Sequence, residues 1–202
     1  MALESSFHSD AALTTPIVSL ASKQLEDDSS SPAYPNPADR VAYFGLANAA
    51  KKVEALSNPG VDQIQINIVS NVVGWSAGAT IALSDIVQPS TPNGYKYQAQ
   101  GAGTTHATVE PTWPTVIGET VDDNGITWEC IDEIHAASEF RLATSQAGLD
   151  AATPGAAINV GTTINGGTGV SVWMRIDQGV HPAGDPYADV RLETNDLVES
   201  VI

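Results

Sequence analysis

Basic residues are scarce in this sequence: 8 Lys and Arg stand against 24 Asp and Glu in 202 residues, and the net charge is −16. Nucleic-acid phosphates attract surfaces rich in Lys and Arg, so the shortage argues against binding nucleic acid. The same shortage argues against an anionic membrane surface. We therefore expect no nucleic acid and no membrane among the partners.

Cysteine and long apolar runs are also scarce. The single Cys130 excludes an intrachain disulfide. It alternates with Ile126 and Trp128 as on one face of a strand, which predicts a buried thiol rather than a nucleophile. No basic and apolar leader is visible, and no apolar run approaches the roughly 20 residues that span a bilayer. We expect a chain that is made in, and stays in, a cytosol-like compartment.

Recognisable catalytic motifs are lacking. The sequence has no Gly-x-Ser-x-Gly, His-Glu-x-x-His, Walker loop or paired-Cys motif, and its four His residues have no metal-ligand spacing. Asp122 and Asp123 offer oxygen ligands for Ca²⁺, but Asp-Asn-Gly is also an ordinary turn. The sequence therefore predicts no metal ion, no cofactor and no enzymatic activity.

Short apolar runs, separated by turn residues, fill the chain from residue 61 onward. Ile64, Ile66 and Ile68 alternate with polar residues, as in a half-buried strand, and Asn-Gly turns follow at several points. Many short strands with frequent turns favour a mainly β fold of one or two small β-sandwich or barrel-like units. We expect one N-terminal α-helix and an extended N-terminal arm in addition.

The helix is predicted over residues 36–60. Asn36 can cap it, Pro37 suits its first position, and Asn58-Pro59-Gly60 ends it. An apolar stripe at helical spacing runs between them: Val41, Phe44, Ala49, Val53 and Leu56. The remaining divisions are an arm over 1–35, a β domain over 61–135 and a C-terminal β domain over 136–202.

The predicted arm is interrupted by proline but carries apolar side chains. Its candidate partner-binding residues are Phe7, Leu13, Ile17, Leu20, Leu25 and Tyr34. A free tail gains nothing from such residues, whereas an arm lying on a neighbouring molecule uses each of them as an anchor. A frayed terminus is the alternative interpretation.

Several of the few aromatic residues lie close together in the sequence: Trp75, Tyr95, Tyr97, Trp113 and Trp128. Exposed aromatic rings can stack on sugars, and Tyr95, Tyr97 and Trp113 are the candidate glycan contacts. Core packing is the alternative, because large aromatic residues are buried on average.

Residues 75–130 resemble a small β module of tailed-bacteriophage virion proteins. The resemblance is carried by Trp75-Ser76-Ala77-Gly78, Asn93-Gly94-Tyr95, Glu110-Pro111-Thr112-Trp113-Pro114 and Gly125-Ile126-Thr127-Trp128. The same order of motifs is similar to that of small chitin- and cellulose-binding modules in secreted hydrolases. The C-terminal part is similar in style to phage Ig-like or jelly-roll structural domains.

The resemblance implies a virion structural protein, made in the host cytoplasm. A capsid decoration (cement) protein that stabilises the head shell through its arm agrees best with the predicted arm. Its partners would be the major capsid protein and copies of itself, as a homo-oligomer on the virion. The alternative is a tail, baseplate or head-fibre component that binds host-surface glycans.

Overall fold

The computed structural model of the chain describes residues 3–17, 39–176 and 189–202. The chain divides into two compact units. The first unit comprises Met1–Val69 and Ala136–Ile202, and the second, Ser70–His135, is inserted into its sequence. Residues 61–69 therefore belong to the first unit and not to the β domain predicted over 61–135.

Strands dominate the described residues. In chain order they are β1 (Ser6–His8), β2 (Arg40–Gly45), β3 (Lys51–Ala55), β4 (Gln65–Ser70), β5 (Val73–Gly74), β6 (Thr80–Ile81), β7 (Ile86–Gln88), β8 (Tyr95–Ala99), β9 (Gly103–Thr104), β10 (Thr120–Asp123), β11 (Ile126–Glu133), β12 (Phe140–Ala143), β13 (Ile158–Asn159), β14 (Thr163–Asn165), β15 (Val170–Ile176), β16 (Val190–Thr194) and β17 (Leu197–Val201). Two short 3₁₀ helices span Ala137–Glu139 and Gln146–Asp150. Among the described residues no helix has the length and apolar character needed to cross a membrane.

The strands form five small sheets. In the first unit their orders are β1-β2-β15-β12, β13-β4-β16 and β14-β3-β17. The second unit holds β10-β11-β8-β7-β5 and the pair β6-β9. The fold is therefore mainly β, as predicted, and in the part of the chain that the structure describes no sheet closes into a barrel.

One apolar core serves the three sheets of the first unit. Phe44 of β2, Val53 of β3 and Ile66 of β4 all belong to it, although these three strands lie in different sheets. Each of the three is at most 2% exposed. Burial of such side chains provides most of the stabilisation of a unit of this size.

The helix predicted over residues 36–60 is wrong for the part that is described, residues 39–60. Strands β2 and β3 occupy that region instead, paired with β15 and β17. Ala42, Phe44 and Leu46 are buried in and after β2, and Val53 and Ala55 are buried on β3, so the apolar period is two and not the helical period of three or four. Pairing with distant strands here overrides the helical preference of the alanines.

The extended arm predicted over residues 1–35 is wrong for residues 3–17. β1 pairs with β2, and the rings of Phe7 and Phe44 lie 5.1 Å apart. Leu13 is only 3% exposed, and Ile17 packs against the first unit's core. Phe7, Leu13 and Ile17 thus stabilise their own unit, because an edge strand buries spaced apolar residues as well as an arm does. Leu20, Leu25 and Tyr34 lie outside the described residues.

Candidate functional site

A tight hairpin positions the aromatic residues of the second unit. Asn124 and Gly125 join β10 to β11, and both have positive φ, 54° and 87°, as a two-residue hairpin turn requires. The register that follows puts Ile126, Trp128 and Cys130 on one face of β11. All three are at most 1% exposed, so the predicted burial of Cys130 is confirmed.

Three aromatic rings pack together beneath the sheet of β8 and β11. The ring of Trp113 lies 4.4 Å from that of Tyr97 and 5.8 Å from that of Trp128, measured between centroids. Tyr97 is fully buried, so it is a core residue and not a surface available to a sugar. Trp113 and Tyr95 are half-buried and pack against the same core.

The hydroxyl of Tyr97 forms hydrogen bonds with two loops of the second unit that are distant in sequence. Its hydroxyl donates to the carbonyl oxygen of Pro114 at 2.6 Å and accepts from the side-chain amide of Asn93 at 2.7 Å. Burial raises the pKa of this hydroxyl above its ordinary value, so the hydroxyl keeps its proton. The Asn93-Gly94-Tyr95 motif is therefore tied to the segment that contains Pro114.

Asp123 connects two of the tryptophans. Its Oδ2 accepts the indole N–H of Trp75 at 2.8 Å and that of Trp128 at 3.4 Å, and its Oδ1 accepts the backbone N–H of His106 at 2.8 Å. The residue is 3% exposed. This carboxylate thus holds aromatic side chains in place. Within the described residues no group of three or more His, Cys, Asp or Glu side chains could hold a metal ion.

Glu110 fixes the remaining tryptophan of the second unit. It accepts the indole N–H of Trp113 and the backbone N–H of Ser90, both at 2.8 Å, together with the Ser90 hydroxyl. Burial raises the pKa of this carboxyl, but the hydrogen bonds from Ser90 and Trp113 outweigh that effect, and the pKa is lower than usual. Glu110 therefore stays ionised and bonded near neutral pH.

These contacts hold one exposed loop, residues 105–119 between β9 and β10. Glu110 with Trp113, and Pro114 with Tyr97, fasten its middle, and the N–H of Gly118 donates to the carbonyl of Cys130 at 2.8 Å. The loop nevertheless exposes three aliphatic side chains: Val109, Val116 and Ile117 are 60%, 56% and 57% exposed. It is therefore a loop that is held at several points and exposes aliphatic side chains.

A cavity of about 310 Å³ lies beside Trp75, elsewhere in the second unit. Its lining includes Val73, Ile86, Thr80 and Asp85. Val73 is 70% exposed and Ile86 41% exposed, so the cavity is open to solvent. It combines a half-buried indole with hydroxyl and carboxylate groups.

Two features of this unit escape a prediction from sequence. Trp75 belongs to the aromatic group in the sequence but is not among the candidate contacts Tyr95, Tyr97 and Trp113. The aliphatic residues of the 105–119 loop carry no motif, and only their position in an otherwise polar, proline-containing stretch marks them.

Comparison of the chain with models of known protein families, with curated proteins and with solved structures found no match in any of the three.

Proposed function

We propose that this chain is a non-enzymatic structural protein of a tailed-phage virion, of the capsid decoration (cement) type. It would be made in the host cytoplasm, bind the major capsid protein and copies of itself, and stabilise the head shell. The observation that carries the proposal is the 105–119 loop, because Glu110, Trp113 and Pro114, which anchor it, also belong to the motifs that carry the resemblance to phage virion modules.

The anchoring residues serve contact and not chemistry. The polar side-chain atoms of Tyr97, Trp113 and Asp123 form hydrogen bonds with other side chains and with the backbone of the same unit. Their effect is to hold Val116 and Ile117 in a fixed, exposed position. A preorganised apolar surface loses little conformational entropy on binding, so most of its burial contributes to affinity.

We propose the 105–119 loop as the attachment surface in place of the predicted arm, because Phe7, Leu13 and Ile17 pack within their own unit. A partner-binding role for Leu20, Leu25 and Tyr34 stays a prediction. We further propose that the three sheets of the first unit form a sandwich-like arrangement, which their single shared core supports.

The test uses a phage or prophage whose genome encodes this chain. Purified heads and tails are separated, and the copies of the chain per major capsid protein are counted by quantitative mass spectrometry. We expect the chain on heads, and at least a tenfold loss of occupancy for the double variant Val116→Ser, Ile117→Ser. Val61→Ser, which changes an equally exposed valine (65%) in the first unit, is the matched control and should leave occupancy unchanged.

Both results can contradict the proposal. If purified heads lack the chain, the decoration role is wrong. If the double variant, with an unchanged circular dichroism spectrum, binds at full occupancy, the 105–119 loop is not the attachment surface.

A second candidate function is a tail, baseplate or head-fibre role in binding host-surface glycans, and the cavity beside Trp75 favours it. An indole face stacks on the C–H face of a sugar ring, while Asp85 and Thr80 can hydrogen-bond its hydroxyls. In this form the glycan contacts are Trp75 and its neighbours and not Tyr95, Tyr97 or Trp113.

Titration calorimetry with chitotetraose and cellotetraose tests this second function. We expect binding by the unmodified chain and at least a tenfold weaker affinity for Asp85→Asn, which leaves the tryptophan in place. Tyr95→Phe is the matched control and should bind as the unmodified chain does. Failure of the unmodified chain to bind either sugar, or equal affinity for Asp85→Asn, would remove the cavity from consideration.

A further inference from the structure

The N-terminal segment, residues 3–17, occupies the edge of a sheet in the first unit. Among the strands of the described residues β1 pairs with β2, Phe7 opposite Phe44 and His8 opposite Tyr43. The segment then turns back on itself, and the N–H of Ile17 donates to the carbonyl of Phe7 at 2.8 Å. The segment is thus a compact piece that pairs with β2 at the edge of the sheet.

A groove shaped by two glycines receives this segment. A Cβ atom at Gly45 would lie 3.0 Å from one methyl group of Leu13, and a Cβ at Gly169 would lie 2.9 Å from the other. The N–H of Gly169 also donates to the carbonyl of Ala11 at 3.3 Å. A side chain at either position would displace Leu13 or its neighbours, so the two glycines let Leu13 pack closely in the groove.

Charged and polar contacts fix the other end of the segment. The carboxylate of Glu199 accepts the backbone N–H groups of Glu4 and Ser5, each at 2.6 Å. Lys51 lies 2.5 Å from the carboxylate of Glu4 and 3.8 Å from that of Glu199. These contacts set the register in which the segment binds.

Nothing in these contacts requires that the segment and the groove belong to the same molecule. Residues 18–39 separate Ile17 from β2. A chain of that length can reach about 70 Å when extended. Exchange of an identical element between copies keeps every contact and costs only the entropy of association. That cost falls when many copies are held close together.

We propose that residues 3–17 form an exchangeable segment that binds the glycine-lined groove of a second copy of this chain. Phe7, Leu13 and Ile17 then join two copies through the contacts described above. The inference does not depend on a virion role, since it follows from the segment, the groove and the length between them.

The test uses the unmodified chain and the ion pair between Glu4 and Lys51. Equal amounts of ¹⁵N-labelled and unlabelled chain are unfolded together in urea, refolded at increasing concentration and treated with a carbodiimide. This reagent joins the Glu4 carboxylate to the Lys51 amine as an amide. Mass spectrometry of the cross-linked peptide then reports whether its two halves carry the same isotope.

We expect the mixed-isotope share of this peptide to rise with concentration toward about one half, the statistical value for complete exchange. Cross-links between Lys96 and Asp132, 3.5 Å apart on neighbouring strands of the second unit, are the internal control and should stay unmixed. In addition, Leu13→Asp should abolish the mixed peptide. A Glu4–Lys51 peptide that stays unmixed at millimolar concentration would overturn the proposal.

Discussion

At the scale of single residues, the position of Tyr97 in its strand explains why this side chain is not available to a ligand. Tyr97 and Ala99 alternate with Lys96 and Gln98 along β8, and this position gives Tyr97 a buried side chain with two hydrogen bonds. The alternation could be predicted from the sequence, but the face that meets the core could not. That choice depends on the register of β8 against β11, which long-range pairing sets.

Tyr97→Phe tests the connection between the two loops. We expect a loss of about 1–3 kcal/mol in the free energy of unfolding, because the carbonyl of Pro114 and the amide of Asn93 lose a buried partner. Urea denaturation followed by tryptophan fluorescence measures this change. Tyr95→Phe is the matched control, since the part of the chain that the structure describes offers the Tyr95 hydroxyl no hydrogen bond; an equal loss in both variants would contradict the assignment.

Gly166 lies very close to the backbone of a neighbouring turn in the first unit. A Cβ atom there would lie 2.0 Å from the carbonyl oxygen of Asn48 and 2.6 Å from Leu46. We expect Gly166→Ala to cost about 3 kcal/mol, the upper end of the range for overpacking. Gly101→Ala, at a position with no atom within 4 Å, should be nearly neutral in the same denaturation experiment. A neutral Gly166→Ala would mean that β14 and the turn before β3 do not approach so closely.

At the scale of elements, the strands that begin after residue 61 were largely predictable and the region before them was not. β4 and β11 each lie where alternating apolar residues predict a strand. The helix prediction for residues 39–60 failed because their apolar residues fit two periods. Val41 and Val53 belong to a stripe with the helical period, whereas Ala42 and Phe44 alternate with the period of a strand. Only the partner strands β15 and β17, more than 100 residues later, decide between them.

An ion pair ties the start of β2 to β15. Arg175 donates to Asp39 from Nε at 2.7 Å and from Nη2 at 3.1 Å. Chiefly because of this bond from Arg175, the pKa of Asp39 lies below its ordinary value, although burial opposes the effect. A carboxyl whose pKa is lowered on folding stabilises the protein above its unfolded-state pKa, about 3.9 for Asp, and loses that contribution as pH falls through the folded-state pKa.

Asp39→Asn should therefore lower the free energy of unfolding by about 1–3 kcal/mol at pH 7, and the difference from the unmodified chain should shrink below about pH 4. Urea denaturation at several pH values measures both effects. Asp150→Asn removes the other carboxylate that pairs with Arg175. The side chain of Asp150 is 76% exposed. This control should cost less than about 1 kcal/mol, because solvent screens exposed pairs. A difference for Asp39→Asn that is constant with pH would contradict the ion-pair account.

At the scale of the whole chain, each unit has a core of its own. We therefore expect two transitions in differential scanning calorimetry. Gly166→Ala should lower the midpoint of one and Tyr97→Phe that of the other, each by about 4 °C or more. If both variants shift a single shared transition, the two units unfold together and the expectation is wrong.

The insertion of Ser70–His135 into the first unit also determines the order in which the two units can fold during translation. β3 and β4 emerge early, but their partners β13, β14, β16 and β17 are all translated after the inserted unit is complete. The inserted unit can fold first, while the nascent strands before it wait with unpaired edges, and such edges are sites of aggregation. Expression yield of this protein should consequently respond to translation speed and to chaperones that shield nascent β-strands.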